Sequence, residues 1–94
     1  MDNLTPIPGF ENRYEVTEDG RVFSHMLKDY LKAVIDDRGT PIVSLVSTTG
    51  KTFNYKVHRL VAMTFKPNYD RATKRVRHID GDKTNNNISN LEWY

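Results

Sequence analysis

Cysteine is absent from this chain of 94 residues, and tryptophan occurs once. The first absence excludes a disulfide framework and any thiolate metal site, so a metal would have to be held by histidine, carboxylate or amide oxygen. Long apolar runs are missing too. No stretch approaches the roughly 20 residues of a membrane-spanning helix, and the leading MDNLTPIPGF has neither the basic start nor the apolar centre of a secretory signal. A soluble, intracellular protein with no membrane association is expected. Repeats and low-complexity linkers are also lacking. A chain this short buries only a modest core, so most large apolar residues are expected to be committed to it.

Charge of one sign is scarce overall, the formal net charge being +2, but it is unevenly spread. Residues 1–24 carry Asp2, Glu11, Glu15, Glu18 and Asp19 against Arg13 and Arg21, five acids to two bases and a balance of −3. From Lys66 to Arg77 the sign reverses: Lys66, Arg71, Lys74, Arg75 and Arg77 face Asp70 alone, five bases to one acid and a balance of +4. That run directly precedes His78. It is either a solvated loop or a source of the non-specific attraction to phosphates that a nucleic-acid binder needs.

The apolar pattern is mostly that of strands. RYEVTEDGRVFS alternates across a turn, with Tyr14 and Val16 before Asp19-Gly20 and Val22 after it, which predicts a hairpin. YLKAVI and PIVSLVS are short β-branched runs separated by DDRGT, and TTGKTFNYKV adds a turn at Thr49-Gly50 and a further strand. One antiparallel sheet of three or four strands is the economical expectation. HRLVAMTF breaks this pattern with apolar groups at helical spacing, and Pro67 follows, so a short helix is predicted from His58 to Phe65. RVRHI then reads as a strand, DGDKTNNNISN as a long turn and LEWY as a returning strand. Tyr14, Phe23, Phe65, Val76 and Trp93 are core candidates, the indole closing the last hairpin. His58 is expected to cap the helix or bond a neighbouring strand, and His25 to be exposed.

VHRLVAMTF followed, after a basic loop, by HIDGDKTNNNISNLEW resembles the HNH homing endonucleases of phages and introns, and IPGFENRYEVTEDGRVFS resembles the small module that precedes their nuclease domain. Two motifs of different composition occur in the family's order and spacing, and together they cover nearly the whole chain. The resemblance implies an α+β fold: a small antiparallel β-sheet, a short helix and a ββα-metal hairpin truncated before its last helix. Residues 1–57 would form the β-rich accessory module and 58–94 the HNH-like region, in one compact unit.

The resemblance also assigns roles. His78 corresponds to the general base, a group that titrates near neutrality and takes a proton from water once a second group fixes its orientation. Asn90 corresponds to the central asparagine that structures the loop. Two departures set this chain apart. Arg77 stands where the family has Asp or Asn as a metal ligand, and a guanidinium offers no acceptor. The second ligand lies on a helix beyond the point where this sequence stops. Asp80 remains as a weak metal candidate, with Asp82 beside it, and no cofactor is expected except Mg²⁺ if nuclease activity persists.

The function expected from this reading is a DNA-binding protein of phage or mobile-element origin, acting in the cytoplasm of a bacterial host and deficient in cleavage. Lys28, Lys32, Arg38, Lys51 and Lys56 would contact phosphates along the sheet, with Lys66, Arg71, Lys74, Arg75 and Arg77 gripping the backbone of double-stranded DNA near His78. Two alternatives stand beside it. One is a weak nicking endonuclease, monomeric or completed by a ligand across a dimer; the other is a small inhibitor that binds a host protein.

Overall fold

The computed structural model describes residues 4–68 and 74–94. Period-two alternation produces the first hairpin: in β2 (Tyr14–Val16) and β3 (Val22–Ser24) the outer residues of each triplet are buried and the middle one is half-exposed. The turn between them closes through Gly20 N donating to Thr17 O at 3.1 Å and Thr17 N to Arg21 O at 2.9 Å, with Gly20 at φ +93°. β1 (Thr5–Pro6) and β4 (Asp29–Tyr30) extend this hairpin into a four-stranded antiparallel sheet of order β1-β2-β3-β4.

The sheet does not continue into the next run. YLKAVI splits: Tyr30 ends β4, while Val34–Ile35 form β5 of a separate three-stranded antiparallel sheet with β6 (Pro41–Val46) and β7 (Thr52–Lys56). The single N-terminal sheet expected from sequence is therefore two sheets. The reason lies at Leu31, whose N–H donates to Val22 O at 2.8 Å and whose side chain packs on the core, so the chain turns there instead of running straight on. Tyr14 then ties the two sheets together, its hydroxyl accepting from Val46 N at 3.1 Å.

The helix α1 (Val57–Phe65) follows β7 without a connecting loop, one residue earlier than predicted. Val57, Leu60 and Val61 recur on one face and are buried with Ala62. Lys66 N closes the last turn onto Ala62 O, and Pro67 cannot extend it. The third sheet pairs β8 (Val76–His78) with β9 (Leu91–Trp93), Arg77 lying opposite Glu92 and His78 opposite Leu91. A single 3-10 turn, Ile88–Asn90, leads into β9.

The core joins all three sheets around the helix: Tyr14, Val16 and Val22 from the first, with Ile7 just after β1, Val43 and Leu45 from the second, Val76 and Leu91 from the third. Of the core candidates, Tyr14 and Val76 are buried, and Phe65 and Trp93 pack against the cluster from its edge. Phe23 is a correction: as the middle residue of its triplet it faces away from the core and stacks edge-to-face on Tyr30 and His25. Trp93 also donates from Nε1 to Lys66 O at 2.6 Å, fastening β9 to the end of the helix.

Leu60→Ala, at a fully buried position, is expected to cost about 3 kcal/mol, and Trp93→Phe, which deletes one indole donor, about 1 kcal/mol. Urea unfolding with unchanged m-values checks both; a negligible loss for Leu60→Ala would show that the helix is not the centre of the core.

Candidate functional site around His78

Alternation along β8 turns Val76 and His78 inward and Arg77 outward. The imidazole of His78 is held on two sides. Its Nε2 lies 2.6 Å from Asn86 Oδ1, and its ring centroid is 4.7 Å from that of His58, the planes inclined by 57°. An amide oxygen only accepts, so Nε2 carries the proton that faces it. Sequence reasoning required a group to orient His78 but did not identify Asn86, which stood in a run of asparagines with nothing to single it out. The structure singles it out by burial: Asn86 is 6% exposed, whereas the side chain of Asn85 is at the surface.

Asn86 is itself held by the first sheet. A Cβ on Gly20 would stand 2.8 Å from Asn86 Cβ and 3.4 Å from Val57 Cγ1, so only glycine lets the β2–β3 turn approach this closely. Next to it, Ile88 N donates to Glu18 O at 2.7 Å. The accessory hairpin thus buttresses the loop that aims His78.

The rest of the loop is bonded through Asn90. Its Nδ2 donates to Asp80 Oδ1 and to Asn85 O, both at 2.9 Å, and its Oδ1 accepts from Asp80 N at 3.1 Å. Asp80 also accepts from Asp82 N at 2.8 Å and from Asn85 Nδ2 at 2.9 Å. These donors, led by the Asn85 amide and followed by the Asp82 backbone and the Asn90 amide, hold the Asp80 carboxyl below its ordinary range. Asp82 is lowered likewise by the Thr84 hydroxyl and then the Thr84 backbone N–H.

His58 departs from expectation. It neither caps the helix, whose N-cap Lys56 makes no side-chain bond, nor bonds a strand: its Nδ1 is buried with no partner. Burial, and after it the charges of His78, Lys56 and Arg59, pushes its pKa down to about 4. It is a neutral ring packed against His78. His25 is exposed, as expected, and pairs with Glu15 at 3.1 Å.

The basic candidates fall into three groups. Arg38, Lys56 and Arg75 converge on one cleft together with Arg59, which sequence reasoning passed over as part of the helix. Others are engaged or lie apart: Lys66 Nζ donates to Leu91 O at 3.1 Å, the exposed Lys74 accepts through its carbonyl from Arg59, and Arg77 sends two bonds of 3.1 Å to Glu92 while lying over the Tyr94 ring. Lys28, Lys32 and Lys51 are exposed in the connections between strands of the first two sheets, Lys28 at a left-handed φ of 55°. Arg71 lies outside the described residues.

This arrangement has close counterparts. Residues 55–94 match the HNH endonuclease family and residues 5–46 the NUMOD4 motif. The solved structure described as "DNA binding and cleavage by the HNH homing endonuclease I-HmuI" superposes with a TM-score of 0.89 at 36% identity, covering 98% of this chain and 52% of that one. The chain belongs to the HNH homing endonuclease family. Among its relatives are DNA endonuclease I-HmuI of Bacillus phage SP01, 38% identical over 93% of this chain and 49% of the relative. HNH endonuclease L245 of Acanthamoeba polyphaga mimivirus is 49% identical over 87% of this chain and 24% of the relative. This chain therefore spans about half the length of I-HmuI and about a quarter of the mimivirus protein. The α+β class, with several small antiparallel sheets and one helix, is that of the family.

HNH nucleases use a divalent metal. The described residues around His78 do not fit one. Arg77 is a donor turned to Glu92, both carboxylate oxygens of Asp80 are bonded within the loop, and no three His, Asp or Glu side chains converge among the described residues.

Gly20→Ala is expected to destabilise the protein by about 2 kcal/mol through strain at positive φ and contact with Asn86, and to shift the NMR signals of His78 more than those of His25. For His58, whose folded pKa lies below the ordinary 6.5, the native state binds fewer protons than the unfolded chain between those values. Its contribution is complete above pH 6.5 and is lost as pH falls towards 4. NMR titration should place the His58 midpoint near 4, and His58→Phe should flatten the fall in Tm over that window. A midpoint close to 6.5 would contradict the buried, neutral ring.

Proposed function

We propose that this chain is a DNA-binding unit of the HNH homing-endonuclease type that grips duplex DNA without cutting it. The observation that carries this reading is the combination of an aligned His78 with a surrounding donor set unsuited to a cation: Arg77 is committed to Glu92 and Asp80 to the loop amides. Arg38, Lys56, Arg59 and Arg75 supply the positive charge for phosphate contact, and Lys28, Lys32 and Lys51 extend it over the accessory sheets. The relative from Bacillus phage SP01 supports a role in phage-derived DNA transactions inside a bacterial cell.

A second reading is favoured by one feature. His78 has one ring nitrogen fixed by a buried amide, the orientation a general base requires. With a cation held by ligands from outside the described residues, such as those of a second chain, the same histidine would take a proton from the attacking water.

Fluorescence anisotropy with duplex DNA and a plasmid-nicking assay decide between the two. Binding is expected in the micromolar range or weaker at moderate salt, about equal across sequences, with no nicking in Mg²⁺ or Mn²⁺. Divalent-dependent nicking that disappears in His78→Ala would establish the second reading; absence of binding at low salt would remove both.

A further inference from the structure

Beside the histidine pair lies a cleft of about 420 Å³ whose lining includes Arg38, Lys56, Arg59, Arg75 and His58, and no acidic residue. The four cations come from separate elements: the β5–β6 turn, the end of β7, the helix and the approach to β8. Folding brings like charges together there at an electrostatic cost. The protein neutralises Arg21 with Asp19 and Arg77 with Glu92. Here it does not: the Arg38, Lys56 and Arg75 side chains have no ion pair or hydrogen bond among the described residues. The acid that feels this charge is Asp36, whose carboxyl is lowered first by the backbone N–H groups of Thr40 and Arg38, and only then by Lys56 and Lys83.

The cleft is also prearranged. Arg59 is fixed by its 3.1 Å bond to Lys74 O and by the Trp93 ring, 5.9 Å away. The Arg38 backbone is tethered by Lys83 Nζ, which donates to its carbonyl at 2.7 Å. An uncompensated, partly immobilised set of guanidinium and ammonium groups fits a phosphate oxyanion, because guanidinium forks match phosphate geometry and an ammonium adds point charge. The volume is in the range of small-ligand sites, enough for a phosphate with its adjoining sugar.

We propose that this cleft binds a backbone phosphate of duplex DNA, separated by the His58 imidazole from the place that His78 faces, so that one strand is anchored beside the histidine. The inference rests on the DNA-binding reading above and gives that reading a specific anchor. His58 forms the wall shared by the anchor and the histidine site.

The test is anisotropy of the whole chain on duplex DNA over a range of salt, with Arg38→Ala, Lys56→Ala and Arg75→Ala combined and Arg59 left in place to keep its own bonds. Affinity should fall about tenfold or more, and the slope of log affinity against log salt should shrink by roughly 0.9 for each phosphate that the variant no longer neutralises. Arg38→Lys with Arg75→Lys should retain the slope. Each single alanine variant should melt at or above the wild-type temperature, because repulsion is relieved; a clear drop would assign these residues a structural role and overturn the proposal. Wild-type binding with an unchanged slope in the triple variant would overturn the anchor and leave the DNA-binding reading standing. No binding by the wild type at low salt would overturn both.

Discussion

The close approach of Gly20 to Asn86 is the constraint on which the rest of the site depends. A main chain free of Cβ lets the first hairpin press on the asparagine whose amide oxygen receives His78. Two regions that match separate family motifs, residues 5–46 and 55–94, therefore meet at the residue that orients the imidazole of His78. The accessory sheet acts as the scaffold of the loop as well as a surface of its own.

Packing explains why so small a chain sustains this geometry. The helix gives one apolar face to all three sheets, and no sheet closes a core without it. The 78–90 loop is irregular and mostly exposed, yet its polar groups are bonded locally through Asn85, Asn87 and Asn90. Order in the loop comes from directional hydrogen bonds, and order in the remainder from apolar burial. The two meet at Leu91, fully buried immediately after Asn90.

Local pattern made most elements legible in the sequence. Alternation located the first hairpin, a β-branched run located β6 and the Thr49-Gly50 turn located β7, and the spacing of Leu60 and Val61 before Pro67 located the helix to within one residue. The division of YLKAVI between two sheets was not legible, because strand propensity is silent about which partner a strand pairs with. In the site, the motif named His78 and Asn90, and hydrogen bonding gives each a concrete partner. Asn86, Gly20 and Arg59 were hidden for another reason: their significance arises only when folding joins Asn86 to His78, Gly20 to Asn86 and Arg59 to Lys74. The place of His58 at the helix start suggested capping, whereas burial and ring packing decide its state.

The loop that aligns His78 is held by amides and backbone groups around the carboxylates of Asp80 and Asp82, while the neighbouring cleft is lined by cations. Added electrolyte screens the second and leaves the first nearly untouched. Alignment and grip thus respond to different variables: in the proposed DNA complex, ionic strength sets how long the chain stays on a strand, without changing the direction in which the imidazole points.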